Sequence, residues 1–151
     1  MNIPDTLYRQ ICGVMPIPCV DLLVTDPLGH VLLVERKNEP AAGQWWFPGG
    51  RVHLNETRQA TALRKLKEEC NLEPTAIKEI GTFDVILEAN SPGVANHGIT
   101  TLFQMRVSET EVQLDNQSRA SSWRLPFDWA EEDLHPIVRE WLAEFEARQG
   151  Q

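Results

Sequence analysis

Basic residues and cysteines are scarce in this sequence. Fourteen lysines and arginines stand against 22 aspartates and glutamates, which gives a formal net charge of −8. Such a surface as a whole does not attract nucleic acid, so we expect no nucleic-acid partner. The three cysteines are odd in number and lack C-x-x-C spacing. They predict reduced thiols, as in a cytoplasmic protein, rather than a disulfide framework.

Apolar runs long enough to span a bilayer are also missing, and the first ten residues lack the pattern of a secretion signal. We therefore expect no association with a membrane. The chain has an ordinary globular composition: 42% of its 151 residues are apolar and 24% are charged. This length predicts one domain over residues 1–151. An acidic protein that handles phosphates must attract them locally, through a metal ion or a few arginines.

The order of predicted elements indicates the α/β class, with helices on both faces of a mixed sheet. Strands are predicted at Ile17–Thr25, Val31–Arg36, 45–47, 82–89, 99–107 and 121–125. A helix is expected to begin after Asn55 as its N-cap and to end at Asn71. Helical periodicity returns from Asp128, and Pro136 lies near the start of a second helical segment.

The stretch FPGGRVHLNETRQATALRKLKEECNL combines a glycine pair with a predicted helix that carries two adjacent glutamates. Gly49 and Gly50 allow the backbone to approach a ligand closely. Glu56 precedes the adjacent Glu68 and Glu69 by just over three helical turns. Concentrated carboxylates without a matching Cys/His set favour a hard divalent ion, Mg²⁺ or Mn²⁺, whose shell is completed by substrate phosphates.

A solvent-exposed helix face with salt bridges is an alternative interpretation of the same residues. Two basic–acidic pairs lie four residues apart: Arg64 with Glu68, and Lys65 with Glu69. This is the spacing of salt bridges along an exposed helix. Charges alone do not separate the two interpretations, and the glycine pair ahead of the helix favours the metal site. We interpret Lys65 as a solvated charge rather than a catalytic group.

The same stretch resembles the Nudix box, G-x5-E-x7-R-E-U-x-E-E-x-G-U, in which U is bulky and apolar. Matching positions across 23 residues are Gly50, Glu56, Arg64, Leu66, Glu68, Glu69 and Leu72. Lys65 replaces the first paired glutamate of the box, and Asn71 replaces its glycine. Asn tolerates the left-handed conformation, so the second change is mild. The resemblance implies a Nudix-type α/β/α sandwich with a mixed β-sheet and a hydrolase activity.

Within that superfamily the sequence is most similar to the GDP-mannose mannosyl hydrolase branch, over residues 16–125. The likeness rests on the segments VDLLV, RKNEPAAGQWW, PGGRV and DNQSRASSW. That branch keeps only the last glutamate of the box, which corresponds to Glu69. The resemblance implies Mg²⁺-dependent hydrolysis of a nucleoside diphosphate-linked substrate, with a nucleotide sugar such as GDP-mannose expected. It also implies a homodimer.

The resemblance implies a metal centre and the residues that orient it. The implied ligands of Mg²⁺ are Glu69, the Gly49 carbonyl and Gln117, with Glu68 as an additional ligand. Glu56 and Arg64 are implied to orient the glutamates from behind. The expected catalytic set is therefore Glu56, Arg64, Glu68 and Glu69.

Three further residues are implied to bind the substrate. Arg36 and Arg51 would hold the diphosphate, because planar guanidinium groups donate paired hydrogen bonds to phosphate. Asp21 would contact the sugar or the nucleoside.

Ser118 departs from the mannosyl branch at the position of its catalytic histidine. A serine hydroxyl titrates far above neutral pH, and a general base contributes roughly 10²–10⁴ in rate. His97 is a candidate replacement, whereas we interpret His53 as a solvated loop residue. Without this base we expect attack at phosphorus to compete with attack at the sugar carbon.

Two other functions stay open. One is a general Nudix pyrophosphohydrolase that cuts the P–O–P bond of another nucleoside diphosphate derivative. The other is a non-catalytic nucleotide-sugar sensor, in which Lys65 and Ser118 replace catalytic groups. The retained Glu68–Glu69 pair argues against the sensor, since a pure binder has less need of a metal site.

Overall fold

A computed structural model describes residues 2–38, 41–87 and 97–149. The described elements are α1 Asp5–Cys12, β1 Ile17–Thr25, β2 Val31–Arg36, β3 Trp45–Trp46, β4 Gly49–Arg51, α2 Arg58–Cys70, β5 Ala76–Ile86, β6 His97–Arg106, β7 Ser118–Arg124, α3 Pro126–Trp129 and α4 Pro136–Gln149. Within the described ranges, no helix combines the length and apolar character that crossing a membrane requires.

These strands form one mixed sheet in which β1 is central. Its main path runs β3-β2-β1-β6-β5, while β4 pairs with β1 and β7 pairs with β2. β1 and β6 are parallel, and the other pairings are antiparallel. The β1–β4 register sets Asp21 opposite Gly49 and Val20 opposite Gly50. This pairing brings the glycine pair to the middle of the sheet, beside a buried carboxylate.

Helices cover both faces of the sheet. Side chains alternate between the two faces along each strand, so the apolar strands present apolar side chains on both faces. Val20, Leu22 and Val24 of β1 pack with Leu66 and Cys70 of α2 in one core. The other core contains residues of β1 and β2 together with the C-terminal helices: Leu23, Leu33, Trp129, Val138, Trp141, Leu142 and Phe145. The α/β/α sandwich with a mixed sheet is therefore confirmed.

Most predicted elements are present, with corrections at their ends. The N-cap of α2 is Thr57, whose hydroxyl accepts a hydrogen bond from the Ala60 N–H at 3.1 Å, so the choice of Asn55 is wrong. Asn71 ends the helix in the left-handed conformation, at φ 56°, as predicted. β5 begins at Ala76, six residues earlier than predicted.

Some predicted segments fall outside the described residues. These are residues 88 and 89 of the strand predicted at 82–89, and residues 39 and 40 of the RKNEPAAGQWW segment. Two described elements were not predicted: α1, and β4 with its glycine pair. Two C-terminal helices are present as predicted, and Pro136 begins the second. The first spans Pro126–Trp129, so the prediction that it begins at Asp128 is wrong.

Candidate active site

Glu69 lies at the centre of the predicted metal site. It is on α2, and only 8% of its side chain is exposed. Its Oε2 accepts a hydrogen bond from the Gly49 N–H at 2.9 Å, and its Oε1 lies 3.3 Å from Lys65 Nζ. Burial raises the pKa of Glu69 above its ordinary value, although the Lys65 charge and the Gly49 amide oppose this rise. The charged form of Glu69 therefore depends on a cation held close to it.

Gly49 is required by the packing of two strands. A Cβ at this position would lie 2.2 Å from the Val20 carbonyl oxygen and 3.1 Å from the Asp21 Cα. These are backbone atoms of β1 and cannot move aside easily. The close approach of β4 to β1 is what places the Gly49 amide against Glu69.

Lys65 is directed into this site, so its interpretation as a solvated charge is wrong. Only 12% of its side chain is exposed, and Nζ lies 3.6 Å from Glu68 Oε2 as well as near Glu69. A Cβ at Gly50 would lie 2.6 Å from Lys65 Cε. The second glycine of the pair therefore makes room for the lysine side chain between β4 and α2.

Arg64 connects the isolated glutamate of the box to the rest of the site. Its Nε and Nη2 donate to the two carboxylate oxygens of Glu56 at 2.8 and 2.9 Å. It also donates to Glu68 Oε2 at 3.2 Å and to the Arg51 carbonyl at 3.1 Å. The Thr61 hydroxyl donates to Glu56 at 2.6 Å. The Arg64 hydrogen bonds hold the pKa of Glu56 well below its ordinary range. This geometry suits the predicted orienting role of both residues.

The predicted site residues meet mainly in one cavity of about 840 Å³. It is lined by six of them: Arg36, Gly49, Arg51, Arg64, Glu69 and Gln117. Glu56 and Glu68 do not line this cavity but accept hydrogen bonds from Arg64, which does. Asp21 lines a neighbouring cavity. A cavity of this volume is large enough to hold a nucleotide-sized ligand.

Asp21 lines a second cavity of about 190 Å³ that shares Arg36, Gly49 and Arg51 with the first. Its carboxylate is buried and accepts hydrogen bonds from Thr100 Oγ1 at 2.6 Å and Trp46 Nε1 at 3.3 Å. Burial raises the pKa of Asp21 to about 6, against the effect of these two donors. The two cavities therefore adjoin at shared residues, with both arginines at this junction.

The described residues contain no cluster of three or more His, Cys, Asp and Glu side chains that could hold a metal ion. Of the predicted ligands, Glu69 and Glu68 supply the carboxylates, and the charge of Asp115 also acts on Glu69 by raising its pKa. This set fits Mg²⁺, which proteins bind through one or two carboxylates together with substrate phosphates. A site of this kind is completed by the substrate rather than by the chain.

Ser118 and the histidines bear on the missing general base. Ser118 is buried at the start of β7, opposite Arg36 of β2, and it lines the larger cavity. His53 lines that cavity as well, while His97 lines the smaller one. Within the described ranges, His97 Nε2 has no hydrogen-bond partner, although it lies 3.6 Å from Asp84 Oδ1. A replacement by His97 stays a prediction.

Sequence reasoning missed the contribution of α1. Tyr8 lines both cavities, and the Arg51 guanidinium lies over its ring at 5.8 Å from the centroid. A signal was available, because Tyr8, Ile11 and Cys12 recur at helical spacing and are the half-buried residues of α1. This helix forms one wall of the site.

A strand with a glycine pair lies beside a helix with two adjacent glutamates, in a mixed sheet that helices cover on both faces, and this arrangement is typical of the Nudix class. The family described as NUDIX domain matches residues 15–145. The chain therefore belongs to the Nudix family and is a Nudix hydrolase.

Known relatives agree with this assignment. The low-salt glycan biosynthesis protein Agl8 of Haloferax volcanii is 33% identical over 144 residues, which cover 93% of this chain and 89% of Agl8. The ADP-ribose pyrophosphatase of Methanocaldococcus jannaschii is 38% identical over 53 residues, 35% of this chain and 31% of that protein. The NUDIX domain of Shewanella oneidensis NrtR, complexed with ADP ribose, has a TM-score of 0.75 at 22% identity and covers 89% of both chains. That last likeness shows the fold alone.

Proposed function

We propose that this chain hydrolyses a nucleoside diphosphate linked to a sugar, with Mg²⁺ or Mn²⁺ as the cofactor and a nucleotide sugar such as GDP-mannose as the leading substrate. The observation that carries this proposal is the position of Arg36 and Arg51. Both line the larger cavity with Glu69 and the smaller cavity with Asp21. A diphosphate at this junction places one attached group in each cavity.

The diphosphate carries the charge that the site must neutralise. Arg36 ends β2 and Arg51 ends β4, so two separate strands bring a guanidinium group to the junction. Guanidinium groups donate paired hydrogen bonds to phosphate oxygens. The Gly49 carbonyl, Glu68, Glu69 and Gln117 are the chain's donors for Mg²⁺. Bound there, the ion neutralises phosphate charge and lowers the pKa of water.

The smaller cavity suits the group beyond the diphosphate. Asp21 lies in it with each carboxylate oxygen accepting one hydrogen bond from the protein. A carboxylate oxygen accepts more than one hydrogen bond, so Asp21 keeps capacity for a sugar hydroxyl or a base N–H. The names of the relatives point the same way, since one concerns glycan biosynthesis and another ADP-ribose, which is itself a nucleoside diphosphate sugar.

Hydrolysis at phosphorus fits this site better than attack at the sugar carbon. Ser118 takes the place of the expected histidine, and its hydroxyl does not serve as a base near neutral pH. Water attacking a phosphorus atom forms one P–O bond and breaks the bridging P–O bond. The products are then a nucleoside monophosphate and a sugar phosphate, one of which keeps the bridging oxygen and the other the oxygen of the water. The proton of the attacking water passes to bulk solvent.

The proposal is tested with a panel of nucleotide sugars and dinucleotides in ¹⁸O-labelled water with Mg²⁺, by identifying the products. We expect label in a phosphate product, and EDTA should abolish turnover. Label on free sugar would show that attack at carbon survives without the histidine. Binding without turnover across the panel would overturn the hydrolase proposal in favour of a sensor.

Arg51→Lys tests the diphosphate site because it keeps the charge and loses the planar pair of donors. We expect kcat/KM to fall by about tenfold, the effect of losing about 1.4 kcal/mol of interaction. Arg119→Lys is the matched control, since 63% of the Arg119 side chain is exposed, and its ion pair with Glu35 lies outside both cavities. Equal kinetics for the two variants would remove Arg51 from the site.

A further inference from the structure

Lys65 stands where the Nudix box has a glutamate, and it reverses the charge at that position. Its ammonium lies 3.3 Å from Glu69 Oε1 and 3.6 Å from Glu68 Oε2. These are the carboxylates offered to the metal ion. The lysine therefore supplies a positive charge to the oxygens that a divalent cation would otherwise neutralise.

The backbone is built to accept this side chain. Gly50 lies against Lys65, and a Cβ there would approach Cε to 2.6 Å and Nζ to 3.2 Å. Lys67, two residues further along the same helix, shows the contrast. Its side chain is 57% exposed, and its amine lies 3.7 Å from Glu73, away from both cavities. Lys65 is thus held against the buried carboxylate of Glu69, and Gly50 leaves open the space that the end of its side chain occupies.

The charges around Glu69 show what Lys65 contributes. Arg64 neutralises Glu56 and one oxygen of Glu68, whereas Glu69 has Lys65 as its close cation. The ammonium would repel a divalent ion on the same oxygens, because like charges repel strongly where water is partly excluded.

We propose that Lys65 is a built-in cation of the active site, which takes one cation position on Glu69 and Glu68 and weakens divalent-metal binding by the free protein. The metal then enters with the substrate, whose diphosphate adds the negative charge that the free site lacks. This inference rests on the proposed function for its substrate, and its test uses the protein without substrate.

The test is Mn²⁺ binding to the free protein, followed by the electron paramagnetic resonance signal of unbound Mn²⁺. We expect weak binding by the wild type. Lys65→Glu should tighten binding by at least about tenfold, because it removes a positive charge and adds a ligand. Lys65→Gln should give a smaller gain. Lys67→Glu makes the same charge change on the exposed part of the helix and should alter binding by less than about twofold.

The double variant Lys65→Glu/Glu69→Gln locates the gained site. We expect it to lose the gain, since Glu69 is the buried carboxylate that Lys65 contacts. Tight Mn²⁺ binding by the wild type, unchanged binding in both Lys65 variants, or a gain that survives Glu69→Gln would overturn the proposal. Circular dichroism checks folding, and Lys65→Gln decides the question if the glutamate variant is unfolded.

The outcome is separable from that of the proposed function. A gain in Mn²⁺ binding with no hydrolysis of any nucleotide sugar would overturn the substrate proposal and leave the role of Lys65 standing. Hydrolysis with unchanged Mn²⁺ binding in the Lys65 variants would do the reverse.

Discussion

The Glu56–Arg64 and Glu69–Lys65 pairs differ in how the protein shifts the pKa of the carboxylate. Glu56 forms a paired hydrogen bond with Arg64 and accepts others from the Thr61 hydroxyl and the His53 N–H, so its pKa falls. Glu69 is more deeply buried and has the Gly49 amide with an ammonium at 3.3 Å, so its pKa rises. Several hydrogen-bond donors stabilise the charge of Glu56. Glu69 has fewer donors, so its charged form is stabilised by a further cation.

The difference separates a structural pair from a reactive one. A fully hydrogen-bonded carboxylate gains little from a further cation, and its removal breaks the local structure. A carboxylate with free acceptor capacity binds metal or substrate more readily. Glu56 therefore fits the orienting role, and Glu69 fits the role of metal ligand.

The largest expected effect is on activity, from Glu69→Gln. Glutamine keeps an acceptor for the Gly49 N–H and removes the charge, so turnover should fall by on the order of a hundredfold or more. Steady-state kinetics on the substrate identified by the product screen measures this loss. Glu68→Gln is the control on the neighbouring position, where 48% of the side chain is exposed, and it should lose less. Undiminished turnover in Glu69→Gln would remove it from the site.

The next effect is on stability, from Glu56→Ala. It removes charge-assisted hydrogen bonds from a pair that is about four-fifths buried and leaves Arg64 without this partner. We expect the free energy of unfolding to fall by about 2–4 kcal/mol. Urea denaturation measures it, and a loss below about 0.5 kcal/mol would place the pair among ordinary surface ion pairs.

The pH dependence of that loss follows from the lowered pKa of Glu56. Its contribution to stability is fully present above the unfolded pKa of about 4.5 and disappears as the pH falls through the lower folded pKa. The wild type and Glu56→Ala should therefore converge in stability only in strong acid. Parallel curves down to low pH would show that the carboxylate charge is not what stabilises the wild type.

The smallest expected effect is on the pH dependence of stability, from Asp21→Asn. Asp21 lies outside the box and has a raised pKa, so it tests the effect of burial on a carboxylate that is not a predicted metal ligand. A rise from 3.8 to about 6 means that ionisation opposes folding. Wild-type stability should decrease from pH 4 to 6 by about 2 kcal/mol through this group. Asp21→Asn should flatten that decrease, as measured by urea denaturation across this pH range. An unchanged slope in Asp21→Asn would assign the pH dependence to other groups, Glu69 among them.

Local patterns predicted much of the fold. The β1–β2 hairpin, the end of α2 at Asn71 and the break before α4 at Pro136 follow from turn residues, the αL tolerance of Asn and the fixed φ of proline. The box correctly predicted that Glu68 and Glu69 share one helix, whereas Glu56, predicted in the same helix, precedes its N-cap Thr57.

Tertiary structure decided what those residues contact. The i,i+4 spacing of Lys65 and Glu69 is the same whether their helix face is exposed or buried. The sequence therefore could not distinguish a solvated Lys65 from a buried one. Pairing of β4 with β1 buried Glu69 and set Gly50 beside Lys65, and it joined segments about 30 residues apart. Asp21 and Tyr8 reached the site through the sheet and through α1. Such contacts depend on how strands and helices pack, and local propensity does not predict that packing.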